Sequence, residues 1–80
     1  MVAKFKIGRK VVSHVFEKDD KYYWNTGAPS KNKSKAGYSY KFKNSAFNAG
    51  LIYAKNLAKH LGRHLVIVEY PDKKKDIYKI

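Results

Sequence analysis

The 80-residue sequence predicts an α+β fold: an antiparallel sheet of four to five strands with one amphipathic helix packed across a face, in the order β-β-β-α-β-β. Three observations predict it. Between Ser45 and Leu61, apolar residues recur at Phe47, Leu51, Ala54, Ala58 and Leu61, a single stripe along an α-helix. On both sides of that stretch, short segments either alternate apolar with polar residues or run in β-branched ones, as strands do. A lone amphipathic helix cannot bury its stripe, so those strands must supply the opposing surface.

The first strand is expected at Val2–Ile7, where Ala3, Phe5 and Ile7 alternate with Val2, Lys4 and Lys6; Gly8 breaks or bulges it. Val11–Phe16 is the second, with Val11 and Val15 on one face and Val12, His14 and Phe16 on the other. Lys18-Asp19-Asp20-Lys21 is a polar turn, and Tyr22–Thr26 returns as a third strand, making an antiparallel hairpin. Gly27–Gly37 holds no large apolar residue and is expected as an exposed loop, with Lys31, Lys33 and Lys35 spaced along it. Tyr38–Lys43 alternates strictly: if Tyr38, Tyr40 and Phe42 pack under the helix, the commoner arrangement, Lys41 and Lys43 face solvent; if the sheet is flipped, those aromatics become a stacking platform.

Asn44 or Ser45 is the expected helix cap, and Gly62 the left-handed residue that ends the helix. Gly50 and Leu57 flank the stripe. Ile52 falls on the polar side, roughly opposite Phe47, and Tyr53 lies on the boundary. A single exposed isoleucine is ordinary on a surface; the sharper reading is that Ile52 and Tyr53 touch a partner. The next strand, Arg63–Tyr70, carries Leu65-Val66-Ile67-Val68 and is apolar on both faces, whereas one helix covers only one. The aromatic hairpin or a second copy of the chain, as a homodimer, would cover the other. Pro71-Asp72-Lys73 is a turn, and Asp76–Ile80 the closing strand.

Composition bounds the function. Eighty residues make one domain, 1–80, and 44% hydrophobic residues separate it from disordered polycations. There is no cysteine, so disulfides and thiolate zinc sites are excluded. The longest apolar run, Leu65–Val68, is too short to span a membrane, and no secretory signal is visible. A cytoplasmic location is expected. His14, His60 and His64 have no carboxylate pair beside them, and no nucleophile, base and orienting group can be named together. No enzyme activity, metal or cofactor is expected.

Net charge is +12, and its distribution is uneven: from Lys21 to Val68 there is no acidic residue. A field of one sign and this size points to a polyanionic partner. Basic residues also interleave with aromatics in Lys4-Phe5-Lys6, Lys21-Tyr22-Tyr23-Trp24 and Tyr38–Lys43. Lysines supply phosphate contacts, and exposed rings can stack on unpaired bases. The expectation is a small non-enzymatic nucleic-acid-binding protein, with DNA preferred to RNA. Lys31, Lys33, Lys35, Lys41 and Lys43 would contact phosphates, helped by Lys55, Lys59 and Arg63. Only two arginines are present, too few for base reading to dominate. The alternative is a protein-interaction module, such as a phage-encoded inhibitor or modulator of an acidic host protein that acts on nucleic acid. It would use Ile52, Tyr53 and the uncovered sheet face.

From Trp24 onward the chain resembles a group of small bacterial and phage domains of unknown function: a Trp-bearing hairpin, an Ala-rich helix and a Val-rich hairpin. Trp24, Ala46, Ala54, Ala58, Gly62 and Leu65–Val68 carry the resemblance. A Pro71-Asp72-Lys73 turn stands where that pattern has Asp-Gly. The resemblance implies the fold and no function.

Overall fold

Residues 1–29 and 39–80 are described by a computed structural model of the chain. Among them lie strands β1 (Ala3–Ile7), β2 (Lys10–Lys18), β3 (Lys21–Thr26) and β4 (Ser39–Tyr40). Helix α1 (Lys43–His60) and strands β5 (Leu65–Glu69) and β6 (Lys75–Lys79) follow. These strands form one open antiparallel sheet in the spatial order β4-β3-β2-β1-β5-β6, with α1 packed on one face. The α+β class holds, but the sheet has six strands rather than four to five. The added strand is Ser39–Tyr40, which pairs with Tyr23 and Tyr22. Among the described residues of the alternating Tyr38–Lys43 segment, the pairing stops after Tyr40, because the backbone enters the helix at Lys43.

Local chemistry sets the turns. Asp19 and Asp20 both adopt left-handed backbone angles, with φ of 54° and 65°. A two-residue hairpin turn of this hand matches the twist of β2 and β3, and Asp tolerates the conformation better than most residues. The β5–β6 turn runs through Pro71 and Asp72. It is closed by backbone bonds from Lys73 to the Tyr70 carbonyl and from Tyr70 to the Lys74 carbonyl. Gly62, with φ of 70°, ends the helix as expected. The amide of Arg63 bonds the Ala58 carbonyl at 2.8 Å and that of Gly62 bonds the Lys59 carbonyl at 3.1 Å, a Schellman closure. The other end differs from expectation. Phe42 occupies the cap position and no side chain caps the helix, so neither Asn44 nor Ser45 does so. The helix begins before both, which places them inside its first turn.

The core is one layer deep. Ala3, Phe5 and Ile7 of β1, Val15 of β2, and Val66 and Val68 of β5 are buried against Ala46, Leu51, Ala54 and Ala58 of α1. Small residues let the helix sit close. A Cβ on Gly50 would lie 2.8 Å from Cε2 of Phe5 and 3.3 Å from Cγ2 of Val15, so this contact requires glycine. Ser13 is fully buried there and its hydroxyl donates to the Gly50 carbonyl at 3.1 Å. Beside this seam Phe47 meets Phe5 edge-on at 5.1 Å and stacks with Tyr70 at 6.4 Å. Gly50 therefore lies in the middle of the buried stripe rather than at its flank. Leu61, expected to end the stripe, lies past the helix and is 58% exposed.

Candidate nucleic-acid interface

The pairing register assigns the paired strand residues to a face, because directly opposed residues point the same way. At the β1–β2 register shift Val12 has no opposite residue, so Val11, opposite Lys6, does not share the face of Val15 as the simple alternation implied. Tyr22 opposite Tyr40, Trp24 opposite Val15, and Val66 opposite Tyr78 share the helix face. Trp24 and Tyr53 meet there at 5.5 Å, so Tyr53 is half-buried against the hairpin. The other face has no helix on it among the described residues. It carries Lys18 opposite Lys21, Phe16 opposite Tyr23, His14 opposite both Asn25 and Lys4, and Lys4 opposite Glu69. Farther across lie Lys6 opposite Ile67, Ile67 opposite Ile77, Glu69 opposite Lys75, and Leu65 opposite Lys79.

Of the two covers expected for this face, the aromatic hairpin does not provide one. The aromatic hairpin lies in the plane of the sheet, with β1 between it and β5, so it cannot fold over Leu65 and Ile67. Leu65 is 44% exposed and Ile77 is 63% exposed.

Two features give the open face its chemistry. The first is charge. Lys4, Lys6, Lys18, Lys21, Lys75 and Lys79 share it with one strand carboxylate, Glu69, which lies 3.8 Å from both Lys6 and Lys75. Lys18 and Lys21 stand directly opposite each other, an unfavourable pairing in a sheet. The second is a ladder of rings. His14 stacks on Phe16 at 5.7 Å and 26°, and Phe16 on Tyr23 at 5.3 Å and 16°. His14 is buried, and its Nδ1–H donates to the Gly27 carbonyl at 2.8 Å; a carbonyl only accepts, which fixes the tautomer. Phe16 and Tyr23 are half-buried.

Among the described residues, those expected to bind are spread along α1 and its two ends rather than gathered at one site. Lys31, Lys33 and Lys35 lie outside the described residues. Lys41 and Lys43 are exposed at the start of α1, with the Lys41 ammonium 5.8 Å from the centre of the Phe42 ring. Lys59 and Arg63 lie at its far end, roughly 24 Å away at 1.5 Å per helical residue. Lys55, between them, is half-buried with its ammonium 5.5 Å from the centre of the Tyr78 ring. The Arg63 guanidinium lies against Gly8 in the β1–β2 turn. Ile52 is 58% exposed on the outer side of α1. Lys4, Lys6, Phe16, Lys18, Lys75 and Lys79 were not among the expected site residues. Their alternation with core residues was visible, but only the long-range register joins them.

No group of three His, Asp or Glu side chains that could hold a metal ion occurs among the described residues, and no helix there is long and apolar enough to cross a membrane. Comparison with models of protein families, with curated proteins and with solved structures found no match.

Proposed function

We propose that this chain is a small, non-enzymatic, nucleic-acid-binding protein that holds phosphates through largely sequence-independent contacts. The observation that carries the reading is the charge of the open sheet face. Six lysines share it with one strand carboxylate, and that carboxylate already lies between two of them. The Lys18–Lys21 pair costs stability in the free protein, and an anion bridging the two ammonium groups relieves that cost. Lysine contributes point charge rather than a base-reading fork, so affinity depends on backbone phosphates more than on sequence.

Binding is measured with the full chain and labelled DNA and RNA across a salt series. Each phosphate neutralised contributes about −0.9 to the log–log slope on duplex DNA. Replacing Lys4, Lys18 and Lys21 together by Gln should shallow the slope by about two to three units. The same replacement at Lys31, Lys33 and Lys35 tests the segment outside the described residues. No binding to any nucleic acid at low salt overturns the reading.

An acidic protein partner is the second reading, and exposed Ile52 on the outer helix face, with Lys55 and Asn56 nearby in the sequence, favours it. An acidic protein that binds the chain after nuclease treatment, and that Ile52→Asp no longer binds, would support this over the first.

A further inference from the structure

We infer that the open sheet face takes a single strand of nucleic acid, with unpaired bases stacking at the Tyr23 end of the His14–Phe16–Tyr23 ladder. The inference rests on the nucleic-acid reading above and adds which form of nucleic acid binds, and where.

The aromatics of β3 divide by face. Tyr22 and Trp24 turn inward and pack against the helix layer, whereas Tyr23 turns outward, where α1 makes no use of it. The rings on the outward side are nearly parallel, so they present a continuous π stack rather than an edge-on cluster. One end of the stack is closed, because His14 is 2% exposed and tied to the Gly27 carbonyl. At the other end Tyr23 stands opposite Ser39 on β4, an exposed residue whose small side chain cannot cover a ring. A planar base fits that position.

Charge flanks the rings along the strand direction. Lys18 and Lys21 lie two residues to one side of the Phe16–Tyr23 row, about 7 Å away at strand rise, and Lys4 lies in the next row on the other side. A strand whose bases stack on the rings has its phosphates within reach of ammonium groups on both flanks. Duplex DNA does not meet this surface equally well. Its base faces are hidden, and six strands at about 4.8 Å spacing span roughly 24 Å, against a major groove about 12 Å wide. A second copy of the chain is also disfavoured as the occupant, since it would bring the same lysines to the same face.

The test uses the full chain, a labelled thymidine homo-oligomer and a mixed-sequence duplex, both at one low salt concentration. The single strand should bind about tenfold tighter or more. Tyr23→Leu should weaken single-strand binding by about 5- to 150-fold, the loss of one stacked base, and leave duplex binding within about twofold. Tyr23→Trp keeps a π face and should retain the preference. Should Tyr23→Leu fail to fold by circular dichroism, the unaltered chain is photocrosslinked to a bromodeoxyuridine strand and mapped. Crosslinks at Tyr23 or Phe16 support the inference, and crosslinks confined to α1 overturn it. Equal binding of both forms that Tyr23→Leu does not alter removes the stacking and leaves the phosphate reading standing. No binding to either form removes both.

Discussion

On the helix side of the sheet, Ala3, Phe5, Val15, Val66 and Val68 are fully buried, and Gly50 lets the helix approach within a methyl group's reach of Phe5. On the opposite side, the same strands present Lys4, Lys6, Phe16 and Ile67, all half-buried, and the exposed Leu65. Burial free energy scales with apolar area removed from water, so stability is concentrated on the covered side. Composition on the open side is correspondingly freer. A face released from packing and needing only solubility would carry mixed polar residues. This one carries six lysines and one glutamate around stacked rings and a paired Ile67–Ile77, the composition on which the proposed phosphate and base contacts rest.

The contrast is broken most severely at Phe5. Phe5→Ala removes a fully buried ring that touches α1, and should cost about 3–5 kcal/mol in denaturant melts. In a domain of marginal stability that approaches unfolding. A loss under about 1 kcal/mol would mean the helix is not seated on β1.

Gly50→Ala separates close packing from helix propensity. Alanine favours a helix by about 1 kcal/mol over glycine, yet its methyl would meet Phe5 at 2.8 Å in a rigid core. Net destabilisation of about 1–3 kcal/mol is expected, since overpacking forces side chains off their rotamers. A more stable variant would show that the seam is loose.

Tyr70 reports on the rim of the covered side. Its hydroxyl donates to Asp76 at 3.0 Å, and its ring stacks on Phe47. Partial burial, and then the bond to Asp76, push its phenol from 10.0 to about 12. The folded value is the higher, so the contribution is present in full below pH 10 and is lost as pH rises towards 12. Thermal melts over that range should fall more steeply for the parent chain than for Tyr70→Phe. Parallel curves would place the Tyr70–Asp76 bond outside the folded-state energetics.

The smallest effect is expected on the open side. Ile77 is 63% exposed, and Ile77→Thr should change stability by less than about 0.5 kcal/mol while keeping β-propensity. A loss above about 1 kcal/mol would show that this face is covered in solution by a second copy of the chain.

The helix was legible because a 3.6-residue period depends only on neighbours: Leu51, Ala54 and Ala58 are buried as their spacing implies. The hairpin at Asp19-Asp20 and the stop at Gly62 were legible for the same reason, being local backbone chemistry. Gly50 was misjudged because its role is set by Phe5, on a strand far away in sequence. Leu61 kept the period but overran the end of the helix, which the pattern alone does not mark. The site was less legible still. An acid-free stretch can be read directly, but Lys4, Lys18 and Lys75 come onto one face only through the β3-β2-β1-β5-β6 order and register. Whether a lysine opposite an aromatic faces solvent or helix turns on which side α1 lands.

The place of β1 in the middle of the sheet has a kinetic consequence. Its first partner, β2, follows after a short turn, but its second, β5, pairs Phe5 with Val68 from the far end of the chain. Local hairpins form in microseconds, whereas pairings of high sequence separation are slow. Folding is therefore expected to wait on the β1–β5 closure. During synthesis, Phe5 has no complete apolar seat until Val68 has been made. Over that interval the positive charge from Lys21 to Arg63, unopposed by any acidic residue, keeps nascent chains apart by mutual repulsion.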